Sequence, residues 1–319
     1  MHACSAFRRR TWKLSRVAWA SLFVLATPCI LRGFPSRRWP TLPAKPDELV
    51  DWQELSRDTA SYCEAGGTLV CAHGGESKHH VANTMEAFQS ALDGGVRCLE
   101  ADAAATKDGQ LVVLHTRELS QMMDVQDVQV GDFTWEEIQE LAIHKGIRVP
   151  KVEEVLARFA PKVDLLIVDA KTHSARGEAV NEEQVSELIV RAAKKTNCST
   201  CLAWSKSEDV IRKLQSELPS LPTGIVLKDD RINLGKNAPQ HTYRQLAKVI
   251  GYHHEMVDRE TIVQARSWDK QVVAWTANDR ASVRRLLDLG VYGLVTNFPT
   301  TVQKAVDERN KQCRQINAI

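Results

Sequence analysis

Nine short apolar runs, with amphipathic stretches between them, limit what this chain can fold into. They are Thr68–His73, Val96–Asp102, Leu111–His115, Val163–Asp169, Thr200–Trp204, Thr223–Leu227, Val249–Tyr252, Gln271–Thr276 and Val291–Thr296. Each is too short for a buried helix and suits a strand covered on both faces. Between them apolar residues recur at helical spacing. In Thr84–Leu92 they fall at 85, 88 and 92, and Val180–Ala193, Glu208–Leu218, Arg280–Leu289 and Thr301–Val306 read alike. Such alternation predicts a parallel sheet covered by helices. About eight strand–helix units in roughly 250 residues suit a closed (β/α)₈ TIM barrel better than an open sheet. Nine runs is one too many for that barrel, so one is expected to fail. The rhythm breaks over 116–162, which reads as a small insertion after the third strand. The barrel is predicted over 67–310, with a tail at 311–319.

The residues before the barrel have a different composition. The 319-residue chain has a net charge of +2, but its first 46 residues hold nine Lys/Arg and no acid. The other 273 hold 33 basic and 40 acidic residues, a balance of −7. An acidic body is a poor polyanion binder, which argues against nucleic acid. Within the basic head, Val17–Leu31 is a 15-residue run without charge. As a helix it would span about 22 Å against roughly 30 Å of bilayer core. It reads as a signal anchor over 1–31, with a secretory signal or an organelle transit peptide as alternatives. Five basic residues precede the run and three follow, which favours a single-pass membrane protein with its body lumenal or extracellular. Residues 32–66 form a linker and lead-in, with four prolines in Arg32–Pro46.

Of eight cysteines, only Cys198 and Cys201 are close in sequence. One such pair is too few for a zinc knuckle, and the spacing makes a small, strained disulfide loop. They are read as two independent cysteines. Asn197-Cys198-Ser199 is a formal glycosylation sequon, relevant only if the body is lumenal.

In a barrel the chemistry sits at the carboxyl ends of the strands. There the sequence places His73, then Glu100 and Asp102, then His115, then Asp169 and Lys171, with Trp275 and Asn297 late in the chain. Strand residues two apart share a face, so Glu100 points with Asp102, and Asp169 with Lys171. Paired carboxylates repel unless a cation lies between them or one is protonated. A third acid completes an oxygen-rich cup for Mg²⁺ or Ca²⁺. Two histidines could serve as general base and acid, and Lys171 suits an anionic substrate. Together these describe metal-assisted hydrolysis of a phosphate ester. Singly, each has a plainer reading as a structural histidine, a solvated rim or an ion pair. His79, His80, His253 and His254 read as ordinary loop histidines. Trp275 reads as core or as pocket wall.

The ordered pieces AHGG, NTMEAFQSALDGGVRCLEAD, TKDGQLVVLHTREL, VPKVEEVL, LLIVDAK, VVAWTAND and GVYGLVTNFP resemble the glycerophosphodiester phosphodiesterase family over about Thr68–Val306. With the basic N-terminal anchor, the arrangement is most similar to plant-type members. The resemblance implies a barrel that cleaves a glycerophosphodiester to sn-glycerol 3-phosphate and an alcohol. It implies a divalent cation, Mg²⁺ or Ca²⁺, on Glu100, Asp102 and Asp169, acid/base roles for His73 and His115, and phosphate contact by Lys171. Trp275 and Gly74 would border the substrate. Four positions depart from the family pattern: Gly74 replaces an arginine, Thr116 an acid, Asp169 a glutamate and Asn297 an acid. Two rival readings stand beside this one. One is a lysophospholipase D acting on membrane lysolipids. The other is an inactive barrel kept as a scaffold, for which the four departures speak. The partners expected are the small diester and, through the N-terminus, a membrane.

Overall fold

A computed structural model describes residues 62–63, 66–173, 181–227 and 247–316. The basic head, the apolar run and the proline-rich linker lie outside these. Among the described residues no helix is long and apolar enough to cross a membrane.

All nine runs form strands: β1 Leu69–His73, β2 Cys98–Ala105, β3 Leu111–Val113, β4 Leu165–Lys171, β5 Cys201–Ser205, β6 Thr223–Leu227, β7 Val249–His253, β8 Gln271–Trp275 and β9 Gly293–Thr296. Eight pair in parallel and close a ring, β1-β2-β4-β5-β6-β7-β8-β9 and back to β1. The surplus run is therefore a strand after all, but it stays off the ring. β3 is antiparallel to β2, pairing Ala103–Ala105 with Val113–Leu111. It follows the turn Thr106–Gln110, where the left-handed Gly109 reverses the chain. Its neighbour is an unusually long strand. β1 covers one edge of β2 from Cys98 to Glu100, and β3 takes over the same edge from Ala103.

The barrel interior is filled by Ile167, Leu202, Trp204, Val226 and Val273, among others. Trp204 is accommodated because Gly251 faces it. A Cβ at Gly251 would lie 3.0 Å from Trp204 Cζ3.

Among the described residues the α-helices are α1 Met85–Asp93, α2 Thr116–Met123, α3 Trp135–His144, α4 Val152–Phe159, α5 Glu182–Thr196, α6 Glu208–Glu217, α7 Arg259–Ser267, α8 Arg280–Leu289 and α9 Pro299–Ile316. Side chains at several N-termini satisfy backbone donors: Thr84, Ser207, Asp258 and Asp279 accept from Ala87, Val210, Thr261 and Ser282 N–H. Within the stretch that broke the rhythm, Leu119, Met122, Ile138 and Ala142 of α2 and α3 form a satellite core with Val112 of β3. The helix α4 instead packs into the main core through Val152, Val155, Leu156 and Phe159.

Three disulfides are present among the described residues. Cys63–Cys313 ties the lead-in to α9, Cys71–Cys98 joins β1 to β2, and Cys198–Cys201 spans the turn after α5. The last corrects the reading of two independent cysteines. Asn197 adopts a left-handed conformation (φ 48°) at the end of α5 and turns the chain back. That brings the two Cα atoms to 5.5 Å, within bridging range.

Candidate active site

The site is assembled along one edge of β2. His73 ends β1 directly opposite Glu100. From the other direction, β3 delivers Leu114, whose N–H donates to the Asp102 carbonyl at 3.0 Å. His115 follows at once. The two histidines thus approach head to head, flanking Glu100 and Asp102. The two histidines do not end neighbouring parallel strands of the ring, and the antiparallel β3 is what brings His115 there. On the other edge of β2, Asp169 of β4 stands opposite Asp102.

Glu100 and Asp102 are each 1% exposed. Ligand atoms of His73, Glu100 and Asp102 all lie within 4.8 Å of one another. Asp169 is outside that cluster because its carboxylate is turned to the Lys171 ammonium, which also reaches Asp102 Oδ1 at 2.7 Å. Burial, and then the Asp102 charge, push the Glu100 carboxyl well above the usual range. Burial also works against ionised Asp102, but the Lys171 ammonium together with His115 and His73 outweighs it and holds that carboxyl low. Lys171, buried between acids, is itself held above the usual lysine range, because Asp102 and Asp169 overcome its desolvation. The donor set fits a hard divalent cation: two buried carboxylates lie side by side, one of them with no cationic partner among the described residues.

Both imidazoles are oriented by neighbours. His73 Nδ1 lies 2.6 Å from Asn297 Oδ1, and Asn297 is held through its own N–H by Asn278 Oδ1 at 2.8 Å. An amide oxygen accepts, so the His73 proton sits on Nδ1 and Nε2 carries the lone pair. His115 caps α2, its Nδ1 accepting from Arg117 N–H at 2.9 Å, so its proton sits on Nε2. Burial lowers the pKa of both histidines, that of His115 to about 4, and both are neutral near pH 7.

Gly74 and Gly75 shape the strand mouth. Gly74 is left-handed (φ 62°), and a Cβ there would lie 2.9 Å from Ala82 Cβ. At Gly75 (φ 89°) a Cβ would meet the Ala87 carbonyl carbon at 2.4 Å. Gly74 N–H donates to the Glu100 carbonyl and, at 3.2 Å, to its Oε2. Trp275 is half-buried at the end of β8, two strands from β1 around the ring. Its Nε1 donates to Gly251 O, His253 meets its ring edge-on, and the Lys206 ammonium lies 5.4 Å from the ring centre. Thr116 is simply the first residue of α2. His79 and His80 are exposed.

Three residues were not singled out from sequence. Thr84, not Asn83, caps α1. Asn83 instead grips Asp102: Nδ2 donates to Oδ2 at 2.8 Å, and Oδ1 accepts from the Asp102 N–H at 3.2 Å. Glu118 is 3% exposed and accepts from His115 N–H at 2.9 Å. Arg117 donates to Glu118 through Nε and Nη2.

Residues 73–301 match the model of the glycerophosphoryl diester phosphodiesterase family. The chain belongs to that family. It is an enzyme whose reaction class is glycerophosphodiester hydrolysis. A glycerophosphodiester phosphodiesterase of Arabidopsis thaliana is 31% identical over 252 residues, covering 77% of this chain and 75% of the relative. One from Bacillus subtilis is 25% identical over 74% of this chain and 85% of its own length. Among solved structures, a phosphodiesterase of Oleispira antarctica in complex with the product sn-glycerol 3-phosphate superposes with TM-score 0.64 at 19% identity, covering 77% of this chain and 99% of that one. At that identity the likeness speaks for the barrel.

Proposed function

We propose that the protein hydrolyses glycerophosphodiesters to sn-glycerol 3-phosphate and an alcohol, with a divalent cation held by Glu100 and Asp102. The observation that carries this is the convergence on one edge of β2: two buried carboxylates between two histidines of opposite tautomer. Mg²⁺ and Ca²⁺ prefer oxygen donors, so His73 is assigned to proton transfer and the carboxylates to the cation. Bound there, the cation would offset phosphate charge. His73 Nε2, an acceptor, suits removal of a proton from the attacking oxygen, either a water or a glycerol hydroxyl whose cyclic phosphate water then opens. His115 Nε2–H, a donor, suits the leaving oxygen. Asp169 holds Lys171 against Asp102, which keeps an ammonium at the anion's side of the site. Asn297, a neutral amide where the family pattern has an acid, fixes the tautomer of His73 without charging it.

We also infer a membrane-tethered protein whose barrel faces an oxidising compartment. Supporting this are the apolar run Val17–Leu31 with its basic flank, and three disulfides, which persist in secretory and extracellular environments.

The test is an assay of purified protein, stripped of metal, on glycerophosphocholine, glycerophosphoethanolamine, glycerophosphoinositol and lysophosphatidylcholine, with Mg²⁺ or Ca²⁺ restored. Hydrolysis should require the cation. His73→Ala and His115→Ala should each lower kcat at least about a hundredfold, with His79→Ala near wild type. Full activity in excess chelator would sink the cation role. A preference for lysophosphatidylcholine would favour the lysophospholipase D reading.

A further inference from the structure

A phosphodiester site needs positive charge aimed at the phosphate, and the obvious source here is already engaged. Lys171 is held between Asp102 and Asp169. Position 74 carries glycine, and a side chain there would be strained. Its φ is +62°, and a Cβ would lie 2.9 Å from Ala82 Cβ and 3.1 Å from Asn83 N.

Arg117 stands in the first turn of α2, two residues beyond His115. Its guanidinium does not wander, because Nε and Nη2 donate to Glu118 Oε1 at 3.0 and 2.7 Å. Glu118 is fixed in turn by His115 N–H and, at 3.5 Å, by Asn83 Nδ2, the amide that grips Asp102. The guanidinium is thus tied through Glu118 and Asn83 to the carboxylate cluster. Of its five N–H donors two face Glu118, and Nη1 makes no hydrogen bond among the described residues. The side chain is 46% exposed. Its charge is felt by both histidines and stabilised by Asp102 and Glu100. Together these describe an oriented, accessible guanidinium at the edge of the site.

We propose that Arg117 binds the phosphate of the substrate, supplying from the start of α2 the guanidinium that Gly74 does not. The proposal rests on the diesterase reading. Glu118 is then the positioning residue that aims Arg117 while anchoring the His115 backbone. Donors on a planar fork suit the oxygens of a phosphate better than a single ammonium does.

The test compares the full chain with Arg117→Gln, Arg117→Lys and the control Arg148→Gln, whose residue pairs with Glu154 on the surface. Binding of sn-glycerol 3-phosphate is measured by calorimetry with Mg²⁺ present, and binding of Mn²⁺ by titration without the anion. Arg117→Gln should weaken sn-glycerol 3-phosphate about five- to tenfold, a charged hydrogen bond discounted for exposure, and raise KM in step. Arg117→Lys should fall between, and Arg148→Gln should match wild type. Mn²⁺ should bind Arg117→Gln as tightly as wild type or more so, since a repelling charge has gone. A purely structural arginine would weaken both ligands together and lower the melting temperature. Unchanged anion affinity, or parallel loss of anion and cation affinity, overturns the assignment. If wild type neither binds the anion nor hydrolyses any diester, the diesterase reading falls and takes this one with it.

Discussion

Replacing Asn83 separates two contributions that the structure superimposes at one residue. Asn83 is 2% exposed, holds a left-handed backbone (φ 64°), and makes two side-chain bonds to Asp102. Asn83→Ala removes both bonds and forces a Cβ-bearing, non-Asx residue into that backbone region. The strain costs about 1 kcal/mol. Losing a bond to an ionised carboxylate costs about 1.5–3 kcal/mol, and orphaning the buried Asp102 N–H adds about 1–3 kcal/mol. The expected loss is therefore about 3.5 to 7 kcal/mol, a large share of a typical domain's stability. Asn83→Gly removes the same bonds without the strain and should recover about 1 kcal/mol. Both should lower kcat, because Asp102 loses the amide that orients it. Urea unfolding of the two variants at pH 7, beside steady-state kinetics, reads both effects. If Asn83→Gly is as stable and active as wild type, the amide is not what holds Asp102. If glycine and alanine are equally destabilising, the backbone argument is wrong.

The disulfides should differ by loop length. The chain-entropy estimate for Cys63→Ala/Cys313→Ala, a separation of 250, is a loss of about 5 kcal/mol, against about 2 kcal/mol for Cys198→Ala/Cys201→Ala, a separation of 3; equal melting temperatures would refute the ranking. Cys71 and Cys98 lie two residues before His73 and Glu100 on paired strands, so Cys71→Ala/Cys98→Ala should weaken cation binding as well as stability, which the other two pairs should leave intact. For pH, burial holds His115 near 4 against about 6.5 when exposed. The unfolded chain therefore takes up a proton that the folded one refuses. Stability of the cation-free protein should fall as pH drops from about 6.5 to 4, by at most about 3 kcal/mol from this group. His115→Gln should flatten that slope in urea titrations at pH 7 and 4.5, and an unchanged slope would discount the buried imidazole.

The ring was legible because a strand buried on both faces is apolar along most of its length, as the eight ring strands are. The direction of β3 was not legible by that route, since apolar residues alone do not say which way a strand runs. A signal was present nonetheless. Asp108-Gly109 between two apolar runs is a tight-turn pair, and weighing it would have made a hairpin of β2 and β3. The carboxylates and both histidines could be named from strand ends, whereas their partners could not. Asn83 stands just before the cap Thr84, and its grip on Asp102 depends on a left-handed backbone conformation that periodicity does not report. Arg117 and Glu118 were passed over because His115 was taken as a strand end rather than as the cap of a helix. The cysteine pairings at separations of 250 and 27 are set by the closure of the barrel, which spacing along the chain cannot reveal.

Charge balance gives the strongest internal reason for a divalent cation here. Four carboxylates gather around β2: Glu100, Asp102, Asp169 and Glu118. Two cations answer them. Arg117 neutralises Glu118, and Lys171 is shared by Asp102 and Asp169. Glu100 is left with the N–H of Gly74 alone among the described residues, fully buried, beside an ionised neighbour. Its carboxyl therefore holds its proton far above the usual range. A chain could relieve that burden with glutamine, which would keep an oxygen toward Gly74 at no electrostatic cost. Retaining an acid in a place where the folded protein penalises its charge makes sense only if something else supplies the missing positive charge during function. With Glu100 ionised the deficit among the described residues is two, and the donors nearest it are the oxygens that Mg²⁺ and Ca²⁺ select.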